Sequence, residues 1–379
     1  MKVKLEDCEY YKPFEKDDIH IDGIAISTAL PGSKAQIAKK LLAISIDPNF
    51  RTLAGNLIDI FLGNIYRNNV NQLLVRIRNQ KAQIWLKFPL ILETSLVLRS
   101  DVKKGSAIYK NQVMDIRGAK FEDDLAYLDF ERGDQLIYFF RSEFCFGIYV
   151  NLAKEDDEGV ISTDVARLHR IVDYNIVYES IRNNILFRKM VKEGWFPFIS
   201  LIRFDKYVQL LEYYQDRRKN KQALMAIKLF YNREILDDML ARWELLDVIN
   251  EKSVLIKTGI DQYLNHTVDG YVSSIKILIT ELEGIIRAKY ASQYPNLSFS
   301  QILNQLETDS VTKVGGPDSL VLPLVFIRYL RTSIYSSFSH DVVPNSRHAY
   351  AHGVARIDQY NWTRALQVIL SLDQLIALL

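Results

Sequence analysis

Cysteine is nearly missing from this chain. There are two in 379 residues, Cys8 and Cys145, too far apart in sequence for a metal-type cluster and too few for a disulfide framework, which suits a reducing compartment. Charge of one sign is also lacking. A formal net charge of +2 excludes a global electrostatic pull on nucleic acid, so any basic surface must be local. No apolar run approaches 18 residues, so no membrane-spanning helix is expected, and no membrane partner. The opening MKVKLEDCEYYKPFEKDD has no apolar core of the kind a secretory signal carries, and a cytoplasmic protein is the expectation. Gly32-Ser33-Lys34 has the look of a phosphate loop only superficially, because the full pattern of Gly, four spacers and Gly-Lys-Ser/Thr is absent. A Gly-rich nucleotide fingerprint, a serine-nucleophile elbow, an acidic metal cluster, internal repeats and low-complexity tracts are missing as well. The expectation is therefore no cofactor and no metal.

What the chain does have is apolar content of 48%, enough for a real core, and a length that favours two domains. Residues 1–32 read as irregular. Ser33 is placed to cap a helix in which Ile37, Leu41 and Ile44 form a stripe, and a second helix is expected over Leu53–Tyr66. The texture then changes to strands at 73–77, 83–88, 94–98, 125–130, 136–140 and 144–151, with turns at Arg132-Gly133-Asp134 and Ser142-Glu143 short enough for hairpins. Residues 70–152 thus read as a mostly antiparallel sheet, and the fold class as α+β. The charged stretch Lys154–Gly159 is the best boundary. The expected division is an α+β domain over 1–155, a helical connecting region over 156–250 and an all-helical bundle over 251–379.

Helices are expected at 164–186, 204–215, 221–231 and 233–249, interrupted at Gly194-Trp195-Phe196-Pro197. Trp195 and Phe196 read as aromatics packed at the domain junction in preference to base-stacking surfaces. The basic run Arg217–Lys221 reads as a solvated helix end, with contact to RNA phosphates as its functional alternative. A long helix over Gly270–Tyr290 has Ile275, Leu278, Ile279, Leu282 and Ile286 on one face, and places Glu283 and Arg287 one turn apart. Gly315-Gly316-Pro317 demands a loop, and helices over about 320–336 and 358–379 flank the richest stretch of the chain.

That stretch is Asn345-Ser346-Arg347-His348-Ala349-Tyr350-Ala351-His352-Gly353. It packs a guanidinium, two imidazoles and an amide together before a glycine. If Arg347 starts a helix, His352 follows about one and a half turns on, and His348 and His352 share a face. Such histidines four apart can also hold a metal, with His340 and Asp341 as nearby further ligands. Arg347 can equally be a structural bridge between helices through Glu283, and His352 a satisfied histidine before the Gly353 turn.

The order Arg, polar residue, three spacers, His, in the wider form NxRHxxxHG, resembles the HEPN superfamily, and in particular the HEPN domains of bacterial abortive-infection and defence proteins. Glu281-Leu282-Glu283-Gly284-Ile285-Ile286-Arg287 resembles a helix of related bacterial proteins. The resemblance covers the C-terminal third. It implies a helical domain that cleaves RNA without metal, with two copies forming one cleft, hence a homodimer, and a 2′,3′-cyclic phosphate product. Such cleavage needs a proton removed from the 2′-hydroxyl, one given to the leaving 5′-oxygen, and charge stabilised on the phosphate, which a histidine and an arginine can supply. By resemblance Arg347 stabilises the phosphate, His352 is the acid or base, and His348 orients or assists. Asn345 and Glu283 are supporting residues, the latter holding Arg347 or a histidine in place. A prokaryotic antiviral defence or toxin role is implied, with RNA as partner and a regulatory partner or trigger acting on the N-terminal domain. The alternative is a non-catalytic HEPN module that binds RNA or nucleotide, or dimerises.

Overall fold

The computed structural model describes residues 13–63, 70–86, 91–99, 101–122, 128–142, 145–215, 221–291, 293–336 and 346–379. The fold is α+β: strands dominate the first part and helices the rest. The chain divides into two compact units, one of residues 1–97 and 116–175, the other of 98–115 and 176–379.

The first unit contains β1 (Phe14–Lys16), β2 (Ile24–Ala25), β3 (Ile37–Ala38), β4 (Lys40–Ile44), α1 (Phe50–Leu62), β5 (Gln72–Arg78) and β6 (Lys81–Trp85). After these come the paired strands β7 (Ile91–Leu98) and β8 (Val113–Glu122), through which the division between units passes, then β9 (Gln135–Ser142), β10 (Cys145–Asn151) and α2 (Glu158–Asp173). Six strands form an antiparallel sheet in the order β1-β6-β5-β9-β10-β4. The β5–β6 hairpin turns at Asn79 and Gln80, both at positive φ, as a tight two-residue turn requires. Central β9 is buried along Gln135–Phe140 because both its faces are covered. Ile137 and Phe139 share a core with Leu73, Val75, Ile148 and the α1 residues Phe50, Leu57 and Phe61. Tyr138 and Phe140 face the other way, toward Phe121 and His169.

Residues 33–44 depart from the helix expected of them. They contribute β3 and β4, and β4 pairs with β10 from Lys40↔Asn151 to Ile44↔Gly147. A short apolar window fits either period, and here the ladder offered by β10 decides. The helix expected from Leu53 begins at Phe50; its proposed end, residues 64–66, lies outside the described residues. Of the strand expected over 125–130, residues 125–127 also lie outside them, and 128–130 are not strand.

His169 on α2 stacks on Phe140 with ring centroids 4.0 Å apart and shares a 3.2 Å hydrogen bond with the Tyr138 hydroxyl. Burial lowers its pKa from 6.5 to about 4. Between those values the unfolded chain binds a proton that the folded chain refuses. The neutral ring's contribution is therefore complete above pH 6.5 and is lost as pH falls to 4, by up to about 3 kcal/mol. Urea titrations at a series of pH values should show this slope in the native chain and a flatter one in His169→Gln.

The second unit is helical. It holds α3 (Asn175–Arg182) from its second residue on, α4 (Asn184–Lys192), α5 (Ile199–Arg203), α6 (Lys206–Gln215), α7 (Lys221–Phe230), α8 (Arg233–Trp243) and α9 (Asp247–Asn250). Then come α10 (Ser253–Leu264), α11 (Val268–Ala291), α12 (Phe299–Lys313), α13 (Pro323–Tyr329), a π-helical turn (Leu330–Ile334), α14 (Arg347–Ala351) and α15 (Trp362–Leu378). The 24-residue α11 buries Ile275, Leu278, Ile279, Leu282, Ile285 and Ile286. Gly259 lets α10 approach it, since a Cβ there would sit 2.6 Å from Leu278 side-chain atoms. Helix α15 packs against α11 and is buried from Ala365 to Leu375, polar residues included. Three of those polar residues are hydrogen-bonded through the side chain: Gln367 Nε2 donates to the Glu193 carbonyl at 2.9 Å, the Ser371 hydroxyl to the Gln367 carbonyl at 2.7 Å, and Gln374 Oε1 accepts from the Ile199 amide at 2.6 Å. Trp195 and Phe196 are buried within this unit, Phe196 against Phe198, Phe326 and Tyr329, which leaves neither ring available to stack on a base.

Candidate functional site

Arg347 opens α14, and the helix lasts little more than a turn. Ala349 and Tyr350 are buried and fix it to the bundle, the Tyr350 ring lying edge-on to Tyr360 at 5.2 Å. Gly353, at φ 69, ends it: the Val354 and Ala355 amides both turn back to the Ala349 carbonyl. With the apolar residues turned inward, the polar ones are left near the surface. His348 is half-buried and His352, the last residue of the turn, is exposed. Their rings lie nearly parallel, 13° apart in plane and 5.7 Å between centroids, as the i, i+4 spacing dictates.

Arg347 leaves this helix on a different side, toward α11. Its Nε lies 2.9 Å from Glu283 Oε2. The N–H is not aimed at that oxygen, so the contact is an ion pair without a well-directed hydrogen bond. Glu283 Oε1 accepts a directed hydrogen bond from Arg287 Nε at 2.7 Å, one turn along α11. One carboxylate thus grips two guanidiniums from two helices. Glu283 is 13% exposed, Arg347 31% and Arg287 48%, so the anion is sunk and the cations stand outward.

An aromatic wall backs this group. The Arg287 guanidinium lies 4.8 Å from the centroid of Phe299, and Phe299 meets Tyr335 at 4.6 Å and 71°. Tyr335 follows the π-helical turn, its amide bonding the Leu330 carbonyl at 2.7 Å. Its hydroxyl is buried without a hydrogen-bond partner among the described residues. Burial pushes that phenol's pKa well up and Glu283 adds to the effect, while Arg347 and Arg287 oppose it.

Of the expected site residues, Arg347 and Glu283 meet directly and His348 and His352 stack. No hydrogen bond joins Arg347 to either histidine among the described residues. Asn345 lies outside the described residues, as do His340 and Asp341 and all of the 217–221 basic run but Lys221. Among the described residues no group of three or more His, Cys, Asp or Glu side chains could hold a metal ion, and no helix is long and apolar enough to cross a membrane. Phe299 and Tyr335 were not foreseen. Sequence spacing gives no sign of them, because both join the group only through tertiary packing, Phe299 against Arg287 and Tyr335 against Phe299. The arrangement offers an outward cationic pair able to meet an anion and, five residues after Arg347 at the end of the same helical turn, an accessible imidazole. No family model, curated protein or solved structure matches this chain.

Proposed function

We propose that the C-terminal segment is a HEPN-type domain acting as a metal-independent endoribonuclease. In this reading one histidine, His352, takes the proton from the 2′-hydroxyl as it attacks the adjacent phosphate, or returns one to the leaving 5′-oxygen. Arg347 stabilises the charge gathering on the phosphate oxygens. His348 orients or assists. Two chains would supply the two proton carriers across one cleft, which is the reason to propose a homodimer. A cytoplasmic protein of prokaryotic defence or toxin type, with the N-terminal unit receiving the trigger, completes the proposal. The observation that supports it best is the combination, at the two ends of one short helix, of an exposed histidine and a guanidinium whose Nη groups take no acceptor among the described residues.

The Glu283–Arg347 ion pair favours a second reading, a non-catalytic module that binds RNA or nucleotide, or dimerises, with Arg347 serving as a strut. Incubation of the purified chain with total RNA in excess chelator separates the two. Cleavage that persists and leaves 2′,3′-cyclic phosphate ends supports the nuclease. RNA retention without new ends supports the module, and cleavage abolished by the chelator defeats the metal-independent mechanism.

A further inference from the structure

We infer that Arg287, which lies outside the signature, is a second residue contacting the substrate's phosphodiester backbone, presented beside Arg347 by the shared carboxylate of Glu283. The inference rests on the nuclease reading and deepens it. A carboxylate placed only to neutralise Arg347 would need one partner. Glu283 has two, each bound through Nε. Nε is the edge of a guanidinium that leaves both Nη groups pointing onward, and among the described residues those of Arg287 and Arg347 take no hydrogen-bond acceptor. Each guanidinium therefore keeps its capacity to fork two hydrogen bonds to phosphate oxygens.

The charge balance points the same way. Two cations on one anion leave a net positive unit, and burial is uneven. The carboxylate is largely covered while Arg287 is 48% exposed, so solvent sees chiefly the guanidiniums. Arg287 is also held rather than waving free. Its Nε is fixed at 2.7 Å from Glu283 and its guanidinium carbon 4.8 Å from the Phe299 centroid, while the edge of Phe299 is fixed in turn by Tyr335. A long side chain tied at two points loses less freedom when it meets a ligand. With an overall charge of only +2, a local cationic pair is the kind of feature that a polyanion would have to find.

The test uses the full-length chain and a 2′-O-methyl RNA oligonucleotide, which cannot be cleaved, with binding measured over a range of salt concentrations and cleavage of the matching RNA followed in parallel. Arg287→Gln keeps an N–H donor toward Glu283 and loses the charge; Arg287→Lys keeps the charge and loses the fork. The expected result for Arg287→Gln is about tenfold weaker binding and a shallower dependence of log affinity on log salt, by about 0.7 for one lost phosphate contact on a single strand. Arg287→Lys should retain the native salt slope with part of the affinity. If Arg287→Gln binds with native affinity, or weakens with an unchanged slope, the inference falls while the nuclease reading stands on Arg347 and His352. If the native chain neither binds nor cleaves RNA, both fall together.

Discussion

Arg347→Ala is expected to lower RNA cleavage by about 10²–10³-fold, the loss seen when one preorganised donor to a developing oxyanion is removed. His352→Ala should cost about 10²–10⁴-fold, the usual worth of a positioned proton carrier. Both losses should come without unfolding. His352 is exposed, and removing Arg347 leaves Glu283 still hydrogen-bonded to Arg287. Arg347→Lys should recover little, because an ammonium brings the charge without the planar fork. His348→Ala should lose less than His352→Ala, since His348 is half-buried beneath the stacked ring. The measurement is single-turnover cleavage of a labelled RNA in chelator, with circular dichroism and a urea midpoint to show that each variant is folded. Native rates in both alanine variants would end the catalytic proposal, and Arg347 would then be a strut between α14 and α11.

The parts of the fold that the sequence displays are those where one signal outweighs its competitors. Strands β5, β6, β9 and β10 stand out because each is short and carries branched or aromatic apolar residues. Helix α11 does so because its apolar face repeats over many turns. Strand β8 escaped because Asp115, Arg117 and Lys120 break its run, and β4 because five residues fit a helical stripe as well as a ladder. Helix α12 carries few apolar residues, and α10 owes its place to Gly259, which propensity counts against a helix but close packing requires. At the site, the Glu283–Arg287 pair follows from spacing alone. The contact from Glu283 to Arg347 spans 64 positions and depends on how α14 lies against α11, which spacing within either helix does not encode.

Asp373→Ala should be the most damaging single substitution for stability, by about 3–5 kcal/mol. Asp373 sits midway along α15 with no solvent exposure, paired with Arg99 and accepting a 2.8 Å hydrogen bond from Trp243 Nε1. Arg99 is itself buried. Burial, and then the neighbouring charges of Arg203 and Arg242, push its pKa well down, yet an arginine keeps its proton, so its charge must be answered inside the protein. Without the carboxylate, a guanidinium is left in a low-dielectric interior and an indole N–H loses its acceptor. Asp373→Asn should be milder, because the amide oxygen can still serve Trp243. The cost belongs to the orphaned charge more than to the bond, so removing both partners should relieve it. Arg99→Met with Asp373→Leu should recover most of the loss, short of about 1–3 kcal/mol for the unsatisfied indole. Denaturant midpoints of the two single variants and the double variant check this. An additive double variant would show that the two side chains do not depend on each other. Because α15 packs on α11, which carries Glu283, cleavage by Asp373→Ala should fall only in step with the folded fraction, whereas Arg347→Ala loses activity while fully folded.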